Sequence, residues 1–330
     1  MTNVLVSAAG RRVRLVQLLR DALGAVGTPG LVYACDASPL AAALHAADAH
    51  FLAPSARDPG HIPFLRRACA EREVRLVVSA NDHELVPYAE ARDLFEESGT
   101  YVAIMGAEAA RISRDKRLTH DWLKERGFPV LRRWTPERLP PDADLTFPLI
   151  VKPAAGSAGI GVRTVGSGTE LRAAVAALAD PVVEEHATGR EFTVNVLASR
   201  EGRLVCAVPH LRLEVRAGEV SKGRTFRSPE LDRIAHRLVA ELPRCRGPFN
   251  FQGFVAEDGS VRLTEINARF GGGYPLAHAA GARFPEWLVR EQLGEAPPLD
   301  FQTWQPDIVM LRYDHEILGR LVGADRFDPL

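Results

Sequence analysis

The chain has 330 residues, of which 46% are hydrophobic and 25% charged, and its formal net charge is −1. This length allows two or three domains with apolar cores. A charge so near zero gives no general signal for nucleic acid or an anionic membrane as a partner. No apolar run could cross a bilayer, and the first residues lack a secretion-signal pattern. The four cysteines are scattered without a C-x-x-C pair, so we expect a cytoplasmic protein.

The N-terminal third alternates strand and helix patterns. Short apolar runs predict strands over 3–7, 31–35, 74–79 and 101–105, and helical periodicity fills 12–23, 58–72 and 84–97. This alternation favours an α/β domain with a parallel sheet and helices on both faces.

Polar clusters follow three of these strands, at 7–12, 36–38 and 81–84. Parallel sheets of this kind bind ligands beyond the carboxyl ends of their strands. The first cluster, SAAGRR, has one glycine where the dinucleotide-binding fingerprint needs three, so it does not predict a dinucleotide site.

The rest of the chain is rich in strands. Ser113 is a candidate N-cap for a helix over 114–126. Patterns along this part predict strands over 149–152, 161–165, 182–185, 191–198, 204–209, 211–215 and 308–314, and helices over 170–179, 229–242 and 285–293. Asp258-Gly259 predicts a hairpin that joins 250–257 to 260–266.

Lys152 lies at the end of an apolar strand in the segment FPLIVKPAAGSAGIGV. A loop with Gly156, Ser157 and Gly159 follows it. Backbone N–H groups in such a loop can close on phosphate oxygens, and the lysine adds a compact positive charge. No G-K-[ST] follows, so this is not a Walker loop. The alternative is a hairpin loop with an incidental lysine.

VVEEHATGREF places Glu184 at the end of one strand and Glu191 at the start of the next. Two carboxylates at neighbouring strand ends can accept hydrogen bonds from an amine and from a sugar hydroxyl. The alternative is a pair of solvated strand ends.

NFQGFVAEDGSVRLTEINARFGGG sets Glu265, Asn267 and Arg269 at alternating positions, so a strand would send all three to one face. With Gln252 they offer hard oxygen ligands for Mg²⁺ and a guanidinium for a transferring phosphoryl group. The alternative is a polar sheet face. The glycines that follow, Gly272 among them, would let the backbone approach reacting groups.

These three segments, in this order and spacing, resemble the ATP-grasp superfamily. The resemblance implies an ATP-grasp fold, α+β in its ATP-binding part, preceded by a Rossmann-like pre-ATP-grasp domain with a parallel sheet. It divides the chain into the pre-ATP-grasp domain (1–106), a lid subdomain with the glycine-rich loop (107–186) and a C-terminal subdomain with the metal site and tail (187–330).

The resemblance also implies nucleotide contacts. Lys116 and Lys152 match the two phosphate-side lysines. Glu184 is expected to take the adenine amino group, the backbones of Glu185 and Ala187 to read the adenine edge, and Glu191 to take the ribose.

For the metal, Glu265 and Asn267 match the E-x-N pair of the superfamily, and Gln252 occupies the remaining position, for Mg²⁺ or Mn²⁺. The glutamine and the N-x-R continuation are similar to a short carbamoyl phosphate synthase large chain-like subfamily. Lys116 stands where that synthase carries an arginine, which favours the ligases.

The implied activity is a carboxylate–amine ligase that forms an acyl phosphate from ATP. Alternatives are a carboxylate or carbamate kinase without amide formation and a non-catalytic nucleotide-binding module. We expect small-molecule substrates, no nucleic acid or membrane partner, and a possible homodimer.

Substrate contacts are expected from two places. HLRLEVRAGEVSKGRTF carries Arg212 and Arg224, which could hold an amino-acid carboxylate, although a charge run is often a solvated face. Asp82 and Glu84 are expected to hold an ammonium group. The predicted catalytic residues are Arg269, Arg212 and Lys152.

Overall fold

The structure, a computed structural model, describes residues 1–154, 161–323 and 326–330. In these residues three sheets and ten α-helices form the fold, with a two-stranded hairpin near the end of the chain. No α-helix in the described ranges is both long and apolar enough to cross a membrane.

The N-terminal sheet is parallel, as predicted, with five strands in the order β3-β2-β1-β4-β5. Its strands are β1 (Asn3–Ser7), β2 (Val32–Asp36), β3 (Ala49–Leu52), β4 (Val74–Ser79) and β5 (Tyr101–Val102), and its helices are α1 (Val13–Val26), α2 (His61–Glu71), α3 (Asp82–Glu90) and α4 (Arg92–Glu96). Every residue of β1 is buried, as expected for a central parallel strand covered on both faces. The chain order reverses between β1 and β4, and a crevice for ligands forms where neighbouring strands diverge in this way.

Two helices lead out of this sheet, α5 (Ala107–Arg114) and α6 (Lys116–Glu125). The predicted N-cap at Ser113 is wrong, because the Ser113 hydroxyl donates to the Ala110 carbonyl oxygen inside α5. Asp115 is the N-cap of α6 instead, and its carboxylate accepts from the Arg117 N–H at 2.7 Å. Lys116 is therefore the first residue of a helix.

A four-stranded antiparallel sheet follows, in the order β6-β9-β7-β8. Its elements are β6 (Arg133–Trp134), β7 (Leu149–Pro153), β8 (Arg163–Val165), α7 (Gly168–Ala176) and β9 (Pro181–Glu185). Leu149, Val151 and Leu171 belong to the small apolar core that joins α7 to this sheet.

The third sheet has six antiparallel strands in the order β14-β13-β10-β11-β12-β15. Its strands are β10 (Arg190–Ala198), β11 (Leu204–Arg216), β12 (Glu219–Thr225), β13 (Gly247–Val255), β14 (Val261–Asn267) and β15 (Val309–Leu311). The helices of this part are α8 (Pro229–Glu241), α9 (Tyr274–Ala279) and α10 (Phe284–Gln292), and the terminal hairpin pairs β16 (Gly319–Val322) with β17 (Arg326–Pro329).

The predicted strands over 204–209 and 211–215 are one continuous strand, β11, because His210 lies fully buried within the sheet and does not break it. Sequence reading missed β12, whose charged residues hide its strand pattern, and α9, which begins directly after three glycines.

The N-terminal and six-stranded sheets share apolar clusters that also include residues of the helices between them. One cluster joins Leu5 and Val77 to Phe192 and Phe251, and another joins Val4 to Trp287 of α10. The loops that follow β1 and β4 are thereby held against the end of β14. The predicted division into three domains stays a prediction.

Candidate active site

The polar face of the six-stranded sheet carries the predicted metal set. In the strand register Gln252 lies opposite both Thr193 and Glu265, and Asn250 lies opposite both Asn195 and Asn267. Residues that face each other across strands project to the same side of a sheet. The structure therefore brings Gln252, Glu265 and Asn267 to one face, whereas Arg269, predicted to share the strand face of Glu265 and Asn267, lies beyond the end of β14.

These side chains also contact each other. The Asn267 amide nitrogen lies 3.3 Å from Glu265 Oε1 and 3.2 Å from Asn250 Oδ1. The opposite side of the same strands is apolar, since Phe192, Phe251 and Ile266 are buried.

This donor set fits a magnesium ion that is bound together with phosphates. No cluster of three or more His, Cys, Asp or Glu side chains suited to a metal exists among the described residues. One carboxylate and two carboxamides instead leave coordination positions for phosphate oxygens, which is how Mg²⁺ commonly binds at nucleotide sites.

A lysine from the preceding part of the chain, Lys116, lies near this sheet and near a second lysine, Lys152. Burial lowers the pKa of Lys116, with Glu265 raising it and Lys152 lowering it further, so Lys116 lies within electrostatic reach of both. The Lys116 N–H donates to the Ala154 carbonyl oxygen at 3.2 Å, which joins the start of α6 to the end of β7. The structure thus brings the two predicted phosphate-side lysines together.

Glu184 is held between two cations. The Lys152 ammonium lies 2.5 Å from Glu184 Oε2, and Arg133 donates to Oε1 through both Nε and its terminal nitrogen. Burial alone would raise the pKa of Glu184, but these two charges outweigh it and hold the pKa below its ordinary value. Sequence reading missed Arg133, which gives no signal in LRRWTP. The adenine role of Glu184 stays a prediction.

The linker from β9 to β10 holds the other predicted nucleotide residues. The Glu185 N–H donates to the Arg132 carbonyl oxygen at 3.0 Å, so this donor already has a partner, and Ala187 follows it at the surface of the linker. Gly189 has φ +110°, and a Cβ there would lie 2.4 Å from the Val255 carbonyl oxygen. The glycine therefore lets the linker pass close to β13. Gly156, Ser157 and Gly159 lie outside the described residues.

Glu191 and Arg212 form a buried pair on the polar face. Arg212 Nε lies 2.9 Å from Glu191 Oε1, and the Arg212 side chain is 7% exposed. Burial raises the pKa of Glu191, which Arg212 partly offsets.

Arg224, predicted like Arg212 to hold a substrate carboxylate, does not share the sheet face of Arg212. Arg224 lies opposite Leu211 in the strand register, so it projects to the other side of the sheet. There its guanidinium lies 3.7 Å from the Asp307 carboxylate.

Arg269 and Asp82, predicted to have separate roles, bind each other. Arg269 donates to both carboxylate oxygens of Asp82, at 2.8 and 2.9 Å. This bidentate pair joins the end of β14 to the start of α3. Asp82 is thus not left for a substrate ammonium group as predicted; it positions Arg269.

The prediction that Glu84 binds substrate is wrong. The Glu84 side chain has no exposure and accepts hydrogen bonds at 2.6 Å from Ser7, Ser79 and His61. Burial lowers the pKa of His61, but Glu84 outweighs it and raises that pKa above its ordinary value. Glu84 therefore fixes the loops after β1 and β4.

Gly272 lies against an arginine cluster that sequence reading missed. A Cβ on Gly272 would lie 2.7 Å from Glu219 Oε2 and 3.0 Å from an Arg12 terminal nitrogen. The Gly272 carbonyl oxygen accepts a hydrogen bond from Arg312. Arg12, Glu219 and Arg312 are far apart in sequence, so no local motif reveals the cluster.

Comparisons with known proteins agree with this architecture. Residues 4–103 match the family described as PylC-like, N-terminal domain; residues 137–215 match the D-ala D-ala ligase C-terminus; and residues 178–315 match ATP-grasp in the biosynthetic pathway with Ter operon. These matches confirm the predicted resemblance to the ATP-grasp superfamily and the predicted fold class. The narrower carbamoyl phosphate synthase-like subfamily stays a prediction.

The chain is similar to named ligases. It is 27% identical over 225 residues to the vancomycin/teicoplanin A-type resistance protein VanA of Enterococcus faecium, covering 60% of this chain and 66% of VanA. It is 30% identical over 247 residues to the D-alanine–D-alanine ligase of Mycobacterium tuberculosis H37Rv, covering 62% of this chain and 64% of that ligase. The chain therefore spans just under two thirds of these relatives' own length.

A solved structure supports the fold over nearly the whole chain. The crystal structure of the L-amino acid ligase from Bacillus licheniformis superposes with a TM-score of 0.68 at 20% identity, covering 93% of this chain and 78% of that one.

Proposed function

We propose that the chain is an ATP- and magnesium-dependent ligase that joins a carboxylate to an amine and releases ADP and phosphate. At least one substrate is an amino acid or a small peptide. The observation that carries the proposal is that Lys116 lies within electrostatic reach of Lys152 and of Glu265. Glu265 shares its sheet face with Gln252 and Asn267. Cations on one side and hard oxygen ligands on the other form a site for a triphosphate and its metal.

The proposed reaction has two steps. A carboxylate oxygen of the first substrate attacks the γ-phosphorus of ATP, and ADP leaves. The amine nitrogen of the second substrate then attacks the acyl carbon, loses a proton, and phosphate leaves as the amide bond forms. Holding both substrates in one site makes the second step effectively unimolecular.

The protein's own cations would act mainly on the phosphate charges. Lys116 and Lys152 would neutralise the triphosphate, and Arg269, fixed by Asp82, would hold the transferring phosphoryl group. Arg212, fixed by Glu191, would extend this positive lining toward the ribose. Such preorganised charges stabilise the transition state without reorganising during the reaction.

A magnesium ion would be held by Gln252, Glu265 and Asn267, and Mn²⁺ suits the same oxygen ligands. When bound, the ion would neutralise charge on the phosphates.

Coupling to an amine is favoured over a kinase reaction by the similarity to named ligases and by the reactivity of an acyl phosphate, which water would destroy. A non-catalytic role fits less well, because both lysines and the whole metal set are present together.

The test is the amine dependence of ADP release. Purified protein receives ATP, Mg²⁺ and pairs of amino acids, and ADP is measured with and without the amine. We expect ADP release to rise with the correct amine and a condensed product to appear by mass spectrometry. ADP or acyl phosphate formation that is indifferent to every amine would contradict the ligase and favour the kinase. The cytoplasmic location and the homodimer both stay predictions. Size-exclusion chromatography tests whether the protein is a dimer.

A further inference from the structure

A group of arginines lies where the N-terminal sheet meets the end of β14. Its members, here called the arginine cluster, come from three distant parts of the chain: Arg11 and Arg12 after β1, Arg269 after β14, and Arg312 after β15.

One carboxylate serves three of these guanidiniums. Glu219 Oε1 lies 2.8 Å from Arg12 and 3.2 Å from Arg11, and Glu219 Oε2 lies 2.9 Å from Arg312. Asp82 is the bidentate partner of the fourth arginine, Arg269. Four positive charges therefore meet two negative charges, and most of the guanidinium N–H donors have no carboxylate to meet.

Apart from Arg11, which is exposed, the charges of this cluster are partly withdrawn from water. The Arg12 side chain is 21% exposed and the Glu219 side chain 19%. Burial lowers the pKa of Arg12, Glu219 raises it, and nearby Arg269 lowers it, so the like charges act on one another. Half-buried like charges are unfavourable unless an anion compensates them.

The start of α1 adds to this field. The helix begins directly after Arg12, has no side-chain cap and carries no acidic residue in its first turn. The N-terminal end of α1 therefore stabilises a bound anion, as the arginines do.

The position of the cluster beside the proposed phosphoryl clamp decides which anion this is. The Gly272 carbonyl oxygen accepts from Arg312, and a Cβ on Gly272 would lie 2.7 Å from Glu219 Oε2 and 3.0 Å from an Arg12 terminal nitrogen. Gly272 follows Arg269 closely in the chain, and Arg269 lies within electrostatic reach of Arg12. The arginine cluster therefore adjoins Arg269, the proposed clamp for the transferring phosphoryl group.

We propose that Arg12 and Arg312 bind the unreactive carboxylate group of an amino-acid acceptor, with Glu219 holding both guanidiniums in position. The inference rests on the proposed ligase function and names its second substrate class. An amino-acid acceptor brings an amine that must reach the acyl carbon and a carboxylate that must not react. A seat beside Arg269 would hold the acceptor carboxylate at Arg12 and Arg312 and leave the amine free to reach the acyl group.

Binding can be tested without turnover. The probe is acetate, titrated against chloride at constant ionic strength with Mg²⁺ and a non-hydrolysable ATP analogue present, and thermal unfolding is the readout. We expect acetate to raise the melting temperature of the wild type, and Arg12→Gln to weaken its apparent affinity by roughly 10-fold or more. Arg14→Gln, an exposed change of equal charge in the same helix, should alter it by less than about 2-fold.

Absence of an acetate response in the wild type would overturn the proposal, as would equal responses in the wild type and Arg12→Gln. If Arg12→Gln fails to fold, Arg12→Lys keeps the charge beside Glu219 but loses the planar fork, and should bind acetate more weakly than the wild type.

Turnover separates this inference from the ligase proposal. Acceptors are supplied as a pool of the twenty L-amino acids and D-alanine, and then as the same pool of carboxamides. In the wild type we expect kcat/KM to favour the free acids by roughly 10- to 100-fold, and in Arg12→Gln this preference should fall toward one with the KM for ATP unchanged.

Amine-dependent turnover with the preference intact in Arg12→Gln would contradict the carboxylate seat alone. A wild type that ignores every amine would contradict the ligase, while an acetate response lost in Arg12→Gln would still support an anion seat.

Discussion

Glu84 and Glu265 mark two regions whose sequences look alike and whose structures differ. Both carboxylates lie among polar residues near the end of a strand, Glu84 at the start of α3 after β4 and Glu265 within β14, and both were predicted to meet a ligand. Glu84 is fully buried and receives three hydrogen bonds at 2.6 Å from the protein. Glu265 is half-buried on a polar sheet face and accepts a longer hydrogen bond, at 3.3 Å, from the Asn267 amide.

The two carboxylates differ in how much of their hydrogen-bonding capacity protein donors fill. A carboxylate surrounded by protein donors shapes the loops around it. One that keeps free lone pairs beside buried cations is available for a metal or substrate. Variants of the two residues should therefore separate stability from activity.

The largest effect is expected for Glu265→Gln. Losing the only carboxylate of the proposed metal set should lower turnover by roughly 10³-fold, about 4 kcal/mol in activation free energy. The free energy of unfolding should change by less than about 0.5 kcal/mol, because few protein contacts are lost. Steady-state kinetics across a magnesium titration, with urea unfolding alongside, measure both.

Glu257→Gln is the matched control in the same hairpin, since Glu257 is exposed. Full activity of Glu265→Gln at low magnesium would refute the metal assignment and remove the contrast with Glu84.

Glu84→Gln should show the opposite behaviour. The amide cannot accept from all three donors, so we expect about 2–3 kcal/mol loss in the free energy of unfolding. Urea unfolding measures this, with Glu90→Gln on the same helix as an exposed control. Unchanged stability together with lost activity would return Glu84 to the substrate role that its burial excludes.

Lys152→Ala tests the intermediate case, a cation bound both by the protein and, on the proposal, by phosphate. We expect affinity for a non-hydrolysable ATP analogue to fall roughly 10- to 100-fold, because a charged hydrogen-bond donor is lost. Stability should fall less, since Arg133 still pairs with Glu184. Calorimetric titration gives the affinity, and Lys222→Ala removes an exposed lysine from a surface pair as the control. Equal affinities for the wild type and Lys152→Ala would leave Lys152 a structural residue.

The smallest effect is a pH dependence that isolates the His61–Glu84 pair. The pKa of His61 is raised in the folded protein, so its stabilising contribution is complete below the ordinary histidine pKa and is lost as pH rises through the raised value. The stability difference between the wild type and Glu84→Gln should shrink by about 1 kcal/mol across that rise.

The contributions of His210 and His278, whose pKa values fall to about 3 and about 4, cancel in this difference. A difference that stays flat or grows with pH would show that His61 is not charged by Glu84.

Local pattern explains what the sequence predicted well. The bounds of β1 and β4 coincide with the predicted 3–7 and 74–79, because buried apolar runs have few alternatives. The Asp258-Gly259 turn fixes the hairpin register, and the register brings Gln252 and Glu265 opposite each other.

Tertiary contacts explain what the sequence could not predict. Arg133 reaches Glu184 only because β6 pairs with β9, and Glu219 meets Arg12 only because two sheets pack together. Arg224 looked equivalent to Arg212 in a cationic run, yet the strand register places it on the other side of the sheet.

The most direct test of the central claim follows oxygen from substrate to phosphate. Amino acids labelled with ¹⁸O in the carboxylate are incubated with the protein, ATP, Mg²⁺ and an unlabelled amine, and mass spectrometry reads the released phosphate and the condensed product. An acyl-phosphate ligase must transfer one ¹⁸O to phosphate for each amide bond formed, with Glu265→Gln showing neither product. Phosphate without label, or labelled phosphate with no amide at any amine, would contradict the ligase.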